Sequence, residues 1–351
     1  VDRLGIESHG QSSIILVMRN EALETHYIDN VELLEVLRGP DERVYPDQHG
    51  RPIIVRELIP AVRILDRDGI HVAGVMDAAD GIAWQASADR LQHVSREDMQ
   101  DYLDVEFEIP ASAGRRALVL RLRNSLLNTV LLYDVMLKGQ GLQALDWMGQ
   151  DLDRLGPRFH LARWYRKQMG LHVSLWDGDG YRHLATLGDT GPIAWKDVAI
   201  PLGRLSGGHV KLRLSSIADN WRIDHVALAT ASRSGNARVI PVASVRGADG
   251  QALPLIREKL QRADDEYVVT RPGEYMRLQF DVGGSREGAQ RTWLLAAEGY
   301  YIEWMRAGWL ETASATAFVP DAAAILTALE LWAQRRDELR ELFESTKVPI
   351  R

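Results

Sequence analysis

The sequence predicts a mostly β protein with tandem antiparallel β-sandwiches of jelly-roll or galactose-binding-like type and an α-helix at the C-terminus. Apolar and polar residues alternate along many short segments, and turn-forming Gly, Pro, Asp and Asn residues separate those segments. Strands with one dry and one wet face are typical of antiparallel sheets. Near the C-terminus the pattern changes to an apolar stripe at helical spacing, which predicts the helix.

The clearest alternation occurs in residues 103–109, 210–214 and 276–282. In the first of these segments Leu103 and Val105 share one face, whereas Asp104 and Glu106 share the other. Similar but shorter patterns predict further strands near 12–18, 26–36, 52–56, 61–65, 117–123, 129–138, 171–176, 222–229, 266–270 and 292–300.

Helix is sparse in the sequence, and the clearest candidate is the stretch 321–345. Asp321 follows a proline and can cap the first turn. We expect the apolar stripe of this helix to dock on the protein's own last sandwich, with a partner chain as the alternative. The stripe consists of Ile325, Leu329, Trp332, Leu339 and Phe343.

A weak internal repeat links two of the predicted strands. Asp29 in Ile-Asp-Asn-Val-Glu-Leu and Asp224 in Ile-Asp-His-Val-Ala-Leu occupy matching positions, which predicts related sandwiches. We expect each carboxylate to hydrogen-bond the backbone of a neighbouring loop, with a role in a site as the alternative. The predicted units are a partial β-sandwich or hairpin segment over 1–50, a β-sandwich over 51–140, a helical linker over 141–168, a jelly-roll-like β-sandwich over 169–232, a terminal β region over 233–320 and the C-terminal helix over 321–351.

Composition argues against several classes of protein. The 351 residues carry a net charge of −7 and include no cysteine. Disulfides, thiolate metal sites and cysteine nucleophiles are therefore excluded, and a nucleic-acid binder would normally show a basic face. No apolar run approaches the roughly 18 residues of a transmembrane helix. Because the sequence begins at Val1, we expect a processed product or a fragment, which leaves room for an export signal that was removed.

The Ile-Asp-x-Val-x-Leu strand resembles the closing strand of galactose-binding-like jelly rolls, which include many carbohydrate-binding modules. Trp176-Asp-Gly-Asp-Gly-Tyr181 is similar to a hairpin of such domains. More broadly, the chain resembles the C-terminal β-rich region of bacterial surface proteins with FG-GAP/VCBS propeller repeats and an ASPIC/UnbV-type segment. The resemblance implies an extracytoplasmic location and no known catalysis, and it supplies no site residues. The matching stretches are Tyr27–Leu34, Pro60–Asp66, Trp221–Leu228 and Tyr267–Val282.

Two glycine-containing motifs invite a ligand interpretation. Gly139–Ala144 has the glycine spacing of a dinucleotide fingerprint after a predicted strand, but it lacks the acidic residue about 20 positions further on. We predict a plain strand-to-helix turn there and no cofactor. Asp177 and Asp179 form a weak candidate for calcium, although the remaining oxygen ligands are missing, and a tight hairpin turn is the favoured interpretation.

Aromatic side chains are the best candidates for contact with a ligand or a partner, because tryptophan buries much area and keeps one polar N–H. A basic and aromatic stretch, Arg158–Met169, is a candidate for peripheral contact with an anionic membrane, with a solvated linker helix as the alternative. The candidate contact residues are Trp176, Tyr181, Trp195, Trp221 and Trp332.

No combination of residues points to catalysis. The histidines are scattered, and the sequence has no zinc-binding histidine pair, nucleophile elbow or Walker loop. We therefore predict a non-catalytic periplasmic or extracellular bacterial protein that binds other proteins of an envelope assembly, as a peripheral subunit on the periplasmic face of a membrane complex. The alternative is a carbohydrate-binding module of a secreted or cell-surface protein.

Overall fold

Antiparallel strands dominate the architecture of this chain. The computed structural model describes residues 1–6, 11–110, 114–147, 154–284, 290–304 and 318–345. Strands account for 46% of the chain and helices for 23%. Every strand pairing in the described ranges is antiparallel. These findings confirm the prediction of a mostly β fold with antiparallel sheets and a C-terminal helix.

The elements follow in chain order. The strands are β1 (Asp2–Arg3), β2 (Ser13–Arg19), β3 (Glu24–Arg38), β4 (Arg43–Pro46), β5 (Pro52–Val55), β6 (Leu58–Pro60), β7 (Arg63–Asp66), β8 (Gln100–Ile109), β9 (Gly114–Asn124), β10 (Leu171–Trp176), β11 (Tyr181–Leu187), β12 (Lys196–Leu205), β13 (Gly208–Ile217), β14 (Trp221–Ala229), β15 (Ser232–Ser234), β16 (Ala237–Pro241), β17 (Ser244–Arg246), β18 (Val268–Thr270), β19 (Tyr275–Asp281) and β20 (Gln290–Glu303). The α-helices are α1 (Ala88–Gln92), α2 (Leu127–Thr129), α3 (Lys138–Gln140), α4 (Ala144–Asp146), α5 (Leu155–Met169), α6 (Pro254–Leu260) and α7 (Ala322–Ser345). A π-helix covers Val130–Leu137, and 3-10 turns cover Ala73–Val75 and Gly141–Gln143.

The middle of the chain forms a sandwich that we call the central sandwich. Its outer sheet has the strand order β11-β10-β13-β8-β7, and its inner sheet has the order β12-β9-β14-β6. Apolar side chains from both sheets, including Phe107, Leu120 and Trp221, fill the space between them. Strands from 51–140 and from 169–232 share both sheets, so these predicted units form one sandwich together. Each of the two segments contributes strands to both sheets, so neither segment forms a complete sheet of its own.

The two ends of the chain form a second sandwich, the terminal sandwich. Its terminal sheet has the order β1-β20-β3-β16, with β18 also paired to β3, and its cover sheet has the order β17-β19-β2. Leu33, Phe280 and Trp293 lie in the core between the two sheets. The predicted segments 1–50 and 233–320 therefore complete each other, because the long strand β3 has most of its partners at the other end of the sequence.

A small bridging sheet of order β15-β5-β4 joins the two sandwiches. On one side its residues pack against the inner sheet, where Ala117, Ala199 and Ala229 allow close approach. On the other side Val44 and Ile54 pack against Val36 and Leu294 of the terminal sheet. The β layers therefore follow in the order outer sheet, inner sheet, bridging sheet, terminal sheet and cover sheet.

Helices cover one end of the central sandwich. The C-terminal helix α7 begins after Asp321, whose Oδ1 accepts hydrogen bonds from the backbone N–H groups of Ala323 and Ala324 at 2.9 and 3.0 Å. Its stripe packs on the helical stretch around Leu131 and on Met169, Ile217 and Ala218, so the helix docks on the central sandwich of its own chain. The apolar segment 126–137 forms part of this helical layer, and α7 covers one side of it.

That segment is also where the strand prediction fails. Residues 129–138 were expected to form a strand, but Val130–Leu137 is a π-helix. The segment is apolar on nearly all sides, so periodicity cannot distinguish a buried strand from a buried helix. Gly139–Ala144 therefore follows a helix, and the strand–turn–helix context of a dinucleotide fingerprint does not occur there.

The repeat around Asp29 and Asp224 has a common local structure. Each aspartate lies at a register shift in its strand, next to Glu298/Gly299 for β3 and between Ile223 and His225 for β14. Asp29 Oδ1 accepts from the backbone N–H groups of residues 264 and 265 at 3.2 and 3.1 Å. Asp224 Oδ1 accepts from the N–H of residue 81 at 2.9 Å. Both carboxylates therefore hold a loop that is distant in sequence, and the equivalence of the whole sandwiches stays a prediction.

Candidate functional site

Side chains of the outer sheet alternate between the core and solvent. In β8, Leu103 and Val105 are buried, whereas Tyr102 and Asp104 point outward. The strand register places Asp104 opposite Arg213 on β13. On the next strand, β10, Ser174 lies opposite Arg213. Side chains from neighbouring strands therefore lie side by side on the outer face.

Asp104 is the centre of a hydrogen-bond network on this face. Its two carboxylate oxygens accept hydrogen bonds from Arg213 Nε and Nη2 at 2.8 and 2.9 Å. The Tyr181 hydroxyl donates to Oδ1 at 2.7 Å, and Lys211 Nζ lies 3.6 Å from Oδ2. Partial burial raises the pKa of Asp104, but the hydrogen bonds from Arg213 and Tyr181 outweigh it and hold that pKa below its ordinary value. The carboxylate is therefore charged at neutral pH.

Arg213 lies between two tyrosine rings. Its guanidinium carbon is 4.0 Å from the ring centroid of Tyr102 and 4.3 Å from that of Tyr181. Tyr181 begins on the edge strand β11 but its hydroxyl reaches Asp104 on β8, so its ring lies across the intervening strands. Burial and the hydrogen bond to Asp104 raise the pKa of Tyr181, which keeps the phenol protonated as a donor. These contacts fix the orientation of the ring.

Trp176 stands beside this ring at the edge of the sheet. It is paired with Tyr181 in the register of β10 and β11. The two ring centroids are 5.2 Å apart and the ring planes meet at 71°, while Trp176 remains 41% exposed. The rings thus form two walls of a shallow corner. We call Tyr102, Asp104, Trp176, Tyr181 and Arg213 the outer-sheet corner.

A tight turn holds the two walls of the corner together. Asp177 Oδ1 accepts hydrogen bonds from the backbone N–H groups of Asp179 and Gly180 at 3.3 and 3.1 Å. Gly178 has a φ of 109°, a conformation that favours glycine. This is the geometry of a hairpin turn at the position of the calcium candidate. Among the described residues no three His, Asp or Glu side chains gather around a common point that suits a metal ion.

Two of the predicted contact residues lie in the core. Trp221 is 0% exposed, and its Nε1 donates to the carbonyl of Met169 at 3.1 Å. Trp332 is 1% exposed and donates to Asp219 Oδ2 at 2.7 Å. Neither indole can touch a partner, because Trp221 lies between the two sheets of the central sandwich and Trp332 lies in the helical layer. Trp195 is half-buried immediately before β12, where Arg123 of β9 lies 4.5 Å from its ring centroid.

The basic stretch Arg158–Met169 belongs to α5. Trp164 and Met169 turn inward and pack in the helical layer. The opposite side of the helix exposes Phe159 and Arg158 to solvent. The inward-facing residues are therefore unavailable to a membrane, and contact through the outward face stays a prediction.

Sequence reasoning missed Tyr102, Asp104 and Arg213 as members of the site. The alternation of β8 and β13 places all of them on the wet face, and this signal was available in the sequence. Their proximity depends on which strands are neighbours and in which register, and alternation does not specify either.

A second group of exposed aromatic side chains lies on the terminal sheet. Strand pairing places Val269, Tyr27 and Tyr300 side by side on three strands. The rings of Tyr27 and Tyr300 are stacked at 4.7 Å with an angle of 6°, and Tyr267 meets Tyr300 edge-on at 5.2 Å. Tyr300, Val269 and the neighbouring Ile302 are about half exposed. We call Tyr27, Tyr267, Val269, Tyr300 and Ile302 the tyrosine surface.

Comparison with known proteins adds little to this geometry. No protein-family model matches the chain, and no curated protein matches it. Among solved structures, the C-terminal CBM6 of LamC, a marine laminarinase from Zobellia galactanivorans, is similar with a TM-score of 0.21 at 12% identity, over 57% of this chain and 99% of that chain. A TM-score this low does not establish a shared fold. The resemblance to FG-GAP/VCBS and ASPIC/UnbV-type proteins stays a prediction.

Proposed function

We propose that the chain is a non-catalytic carbohydrate-binding protein and that a sugar binds at the outer-sheet corner. The observation that carries this proposal is the exposed indole of Trp176, set at 71° to the ring of Tyr181 beside the charged donors Arg213 and Lys211. A pyranose ring has apolar C–H faces and a rim of hydroxyl groups. Aromatic rings suit the faces, and charged hydrogen-bonding groups suit the rim.

The corner is also fixed before a ligand arrives. Asp104 holds both Arg213 and the hydroxyl of Tyr181, so the ring that a sugar would cover is already in place. Affinity improves when a binding group does not lose conformational freedom on binding. A rigid platform of this kind supports a binding role.

The protonation state of Asp104 favours binding over chemistry. A general acid or base works best with a pKa near the working pH. The pKa of Asp104 lies below its ordinary value, chiefly because the hydrogen bonds from Arg213 and Tyr181 outweigh its partial burial. A carboxylate held in this way is suited to orienting donors.

Binding of soluble polysaccharides tests the proposal. We expect a panel of β-glucan, xylan, mannan and alginate to include at least one polysaccharide that retards the protein in affinity electrophoresis. Trp176→Ala should abolish the retardation. The matched control is Trp304→Ala, since Trp304 is 46% exposed and lies on the other sandwich. Retardation by none of the polysaccharides, or equal loss in both variants, would contradict the proposal.

A second candidate function, as an extracytoplasmic accessory protein that binds another protein, is supported by the tyrosine surface. Its rings contact each other and adjoin the exposed aliphatic side chains of Val269 and Ile302. Contiguous apolar surface of this kind is typical of protein interfaces. A photo-crosslinking residue at Tyr300 should capture one partner in the native host. The same residue at Leu142, which is exposed in the 3-10 turn Gly141–Gln143, should not capture it.

Both candidates fit a location outside the cytoplasm, where polysaccharides and envelope proteins are found, and that location is part of the proposal. Among the described residues, no helix has the length and apolar character needed to cross a membrane.

A further inference from the structure

The strand β2 lies at an edge of the cover sheet. It pairs with β19 along its whole length, from Ser13 to Arg19, in a regular antiparallel register. Among the described residues, no strand pairs with its other side. An edge of this kind presents a row of backbone N–H and C=O groups that can pair with a further strand.

The direction of the backbone groups along β2 follows from its contacts with β19. The N–H of Asn20, just after the strand, donates to the carbonyl of Glu274 at 3.0 Å. The carbonyl of Ser12, just before the strand, accepts from the N–H of Val282 at 2.9 Å. Because the direction alternates along an antiparallel strand, the even-numbered residues of β2 point their backbone groups toward β19. The residues whose backbone groups point away from the sheet are Ser13, Ile15, Val17 and Arg19.

The side chains of β2 are only partly covered. Ile14 is buried, but Leu16 and Met18 on the same face are half-buried against the core of the terminal sandwich. On the opposite face, Ile15 is 60% exposed and Val17 is 45% exposed. The core is therefore incompletely covered along this edge, and another apolar strand beside β2 would remove apolar surface from water on both faces.

Other long edge strands of this protein carry features that hinder pairing, whereas β2 does not. Proline, bulges and charged side chains are the usual protection of a sheet edge. β12 contains Pro201 and a register shift. β11 has a register shift against β10 and exposes Arg182 and His183. The seven residues of β2 include no proline, and their one charged residue is Arg19 at the end of the strand. The edge is therefore suited to pairing with another strand.

We propose that β2 pairs with β2 of a second copy of this chain, antiparallel and with a two-fold axis at Leu16. In this register Ile15 lies opposite Val17 of the second copy, and Ser13 lies opposite Arg19 of the second copy. All outward-pointing backbone groups of the strand then find partners, since each of these pairs exchanges two hydrogen bonds. No residue of the outer-sheet corner belongs to the cover sheet, so the dimer does not depend on sugar binding.

The side chains of the strand are self-complementary in the same register. On the solvent face Ile15 would contact Val17 of the second copy, and on the core face Leu16 would contact its own counterpart. Apolar pairs directly opposite each other stabilise a sheet, whereas like charges in that position destabilise it. Arg19 would lie opposite the uncharged Ser13, so no like charges meet. A two-fold interface requires this self-complementarity, which favours a second copy over a strand of another protein.

Sedimentation velocity on the full chain tests the proposal. We expect a monomer–dimer equilibrium in which the dimer fraction increases with protein concentration. Val17→Pro removes an outward N–H that the pairing with β19 does not use, and proline is tolerated at such a position. The dissociation constant of the dimer should therefore increase about tenfold or more, with an unchanged circular dichroism spectrum. The control Val17→Thr keeps the N–H and should still form the dimer. A chain that stays monomeric, or an equally stable dimer in Val17→Pro, would overturn the proposal.

A single cysteine tests the register, because the sequence contains none. Leu16→Cys would place two thiols opposite each other in a pair without backbone hydrogen bonds, where the Cα atoms are about 4.5 Å apart and a disulfide can form. The matched control is Val17→Cys, whose thiol would lie opposite Ile15 of the second copy. After mild oxidation, non-reducing electrophoresis should show crosslinked dimer for Leu16→Cys and little for Val17→Cys. This result remains decisive if Val17→Pro does not fold. Equal crosslinking in both cysteine variants, or none in Leu16→Cys, would overturn the proposal.

Discussion

The outer-sheet corner and the tyrosine surface both expose aromatic rings, but they embed those rings in different chemistry. In the corner, Tyr181 is tied to Asp104 and Arg213 by a hydrogen bond and a cation–π contact. On the tyrosine surface, Tyr27 and Tyr300 contact mainly each other and lie next to the exposed side chain of Val269. Exposed aromatic residues alone therefore do not identify a ligand class; the groups around the rings do.

This comparison assigns different ligands to the two surfaces. Charged hydrogen-bonding groups beside a ring can replace the water that hydrates sugar hydroxyls. Rings that adjoin aliphatic side chains gain most from excluding water, which is the usual advantage of a protein interface. We expect variants of each surface to affect one kind of binding and to leave the other intact.

The largest effect is expected from Asp104→Ala. The change removes the acceptor for both Arg213 and the Tyr181 hydroxyl, and it leaves a guanidinium between two rings without its carboxylate. Hydrogen bonds to charged groups contribute about 1.5–3 kcal/mol each, so we expect the free energy of unfolding to fall by roughly 2 kcal/mol because the face is partly open to solvent. Sugar binding should be lost. Urea denaturation and affinity electrophoresis check both, and unchanged sugar affinity would show that Asp104 does not organise the corner.

Acid should weaken the corner before it affects the tyrosine surface. The pKa of Asp104 is lowered in the folded state, so its stabilising contribution is complete above the pKa of the unfolded carboxyl and is lost as pH falls through the folded-state pKa. Sugar affinity should be constant from about pH 8 to pH 5 and should decrease below about pH 4. Calorimetric titrations over this range measure it. If Asp104→Asn kept its sugar affinity and lost it below the same pH as the unmodified chain, Asp104 would not be the group responsible.

A smaller effect is expected from Tyr181→Phe. The ring stays in place as a stacking surface, but the hydrogen bond to Asp104 Oδ1 is removed. Because a hydrogen bond to a charged carboxylate contributes about 1.5 kcal/mol or more, sugar affinity should fall about tenfold. Tyr267→Phe is the matched control, since it removes a phenol hydroxyl that donates to Asp265 at 2.5 Å on the tyrosine surface. Equal losses of sugar affinity in both variants would contradict the separation of the two surfaces.

The smallest effect on stability and sugar binding is expected from Tyr300→Ser. The side chain is about half exposed, and replacement of an exposed residue usually changes stability by less than about 0.5 kcal/mol. Thermal unfolding and electrophoresis should give values close to those of the unmodified chain. Crosslinking of a protein partner through a neighbouring position such as Ile302 should decrease. A loss of sugar retardation in Tyr300→Ser would mean that the surfaces are not independent.

The sequence predicted the alternating strands, the capped C-terminal helix and the pair Trp176/Tyr181, because each depends on local patterns. Other features depend on contacts that local patterns do not encode. Local patterns do not indicate that Trp221 lies between the two sheets of the central sandwich or that Trp332 lies in the helical layer. The π-helix at Val130–Leu137 has an apolar pattern that suits a strand equally well. Arg213 joins the site because β13 is paired with β8 in one particular register.

Local sequence patterns also do not predict which strands belong to which sandwich. β3 and β20 are separated by most of the chain, yet they form the longest pairing in the terminal sheet. Alternation identifies both strands and the faces that they bury, but it does not say which strands are neighbours. The predicted units therefore followed the order of the sequence, whereas the sandwiches combine distant segments.

The most direct test of the central claim follows the ten tryptophan indole N–H signals by NMR during titration with an oligosaccharide from the polysaccharide that binds. The buried Trp221 and Trp332 and the exposed Trp304 serve as internal references. The outer-sheet corner predicts that the signal of Trp176 shifts in proportion to occupancy, while the signals of these references stay in place. A shift of Trp304 without a shift of Trp176, or no shift at saturating sugar, would contradict the assignment of the binding site.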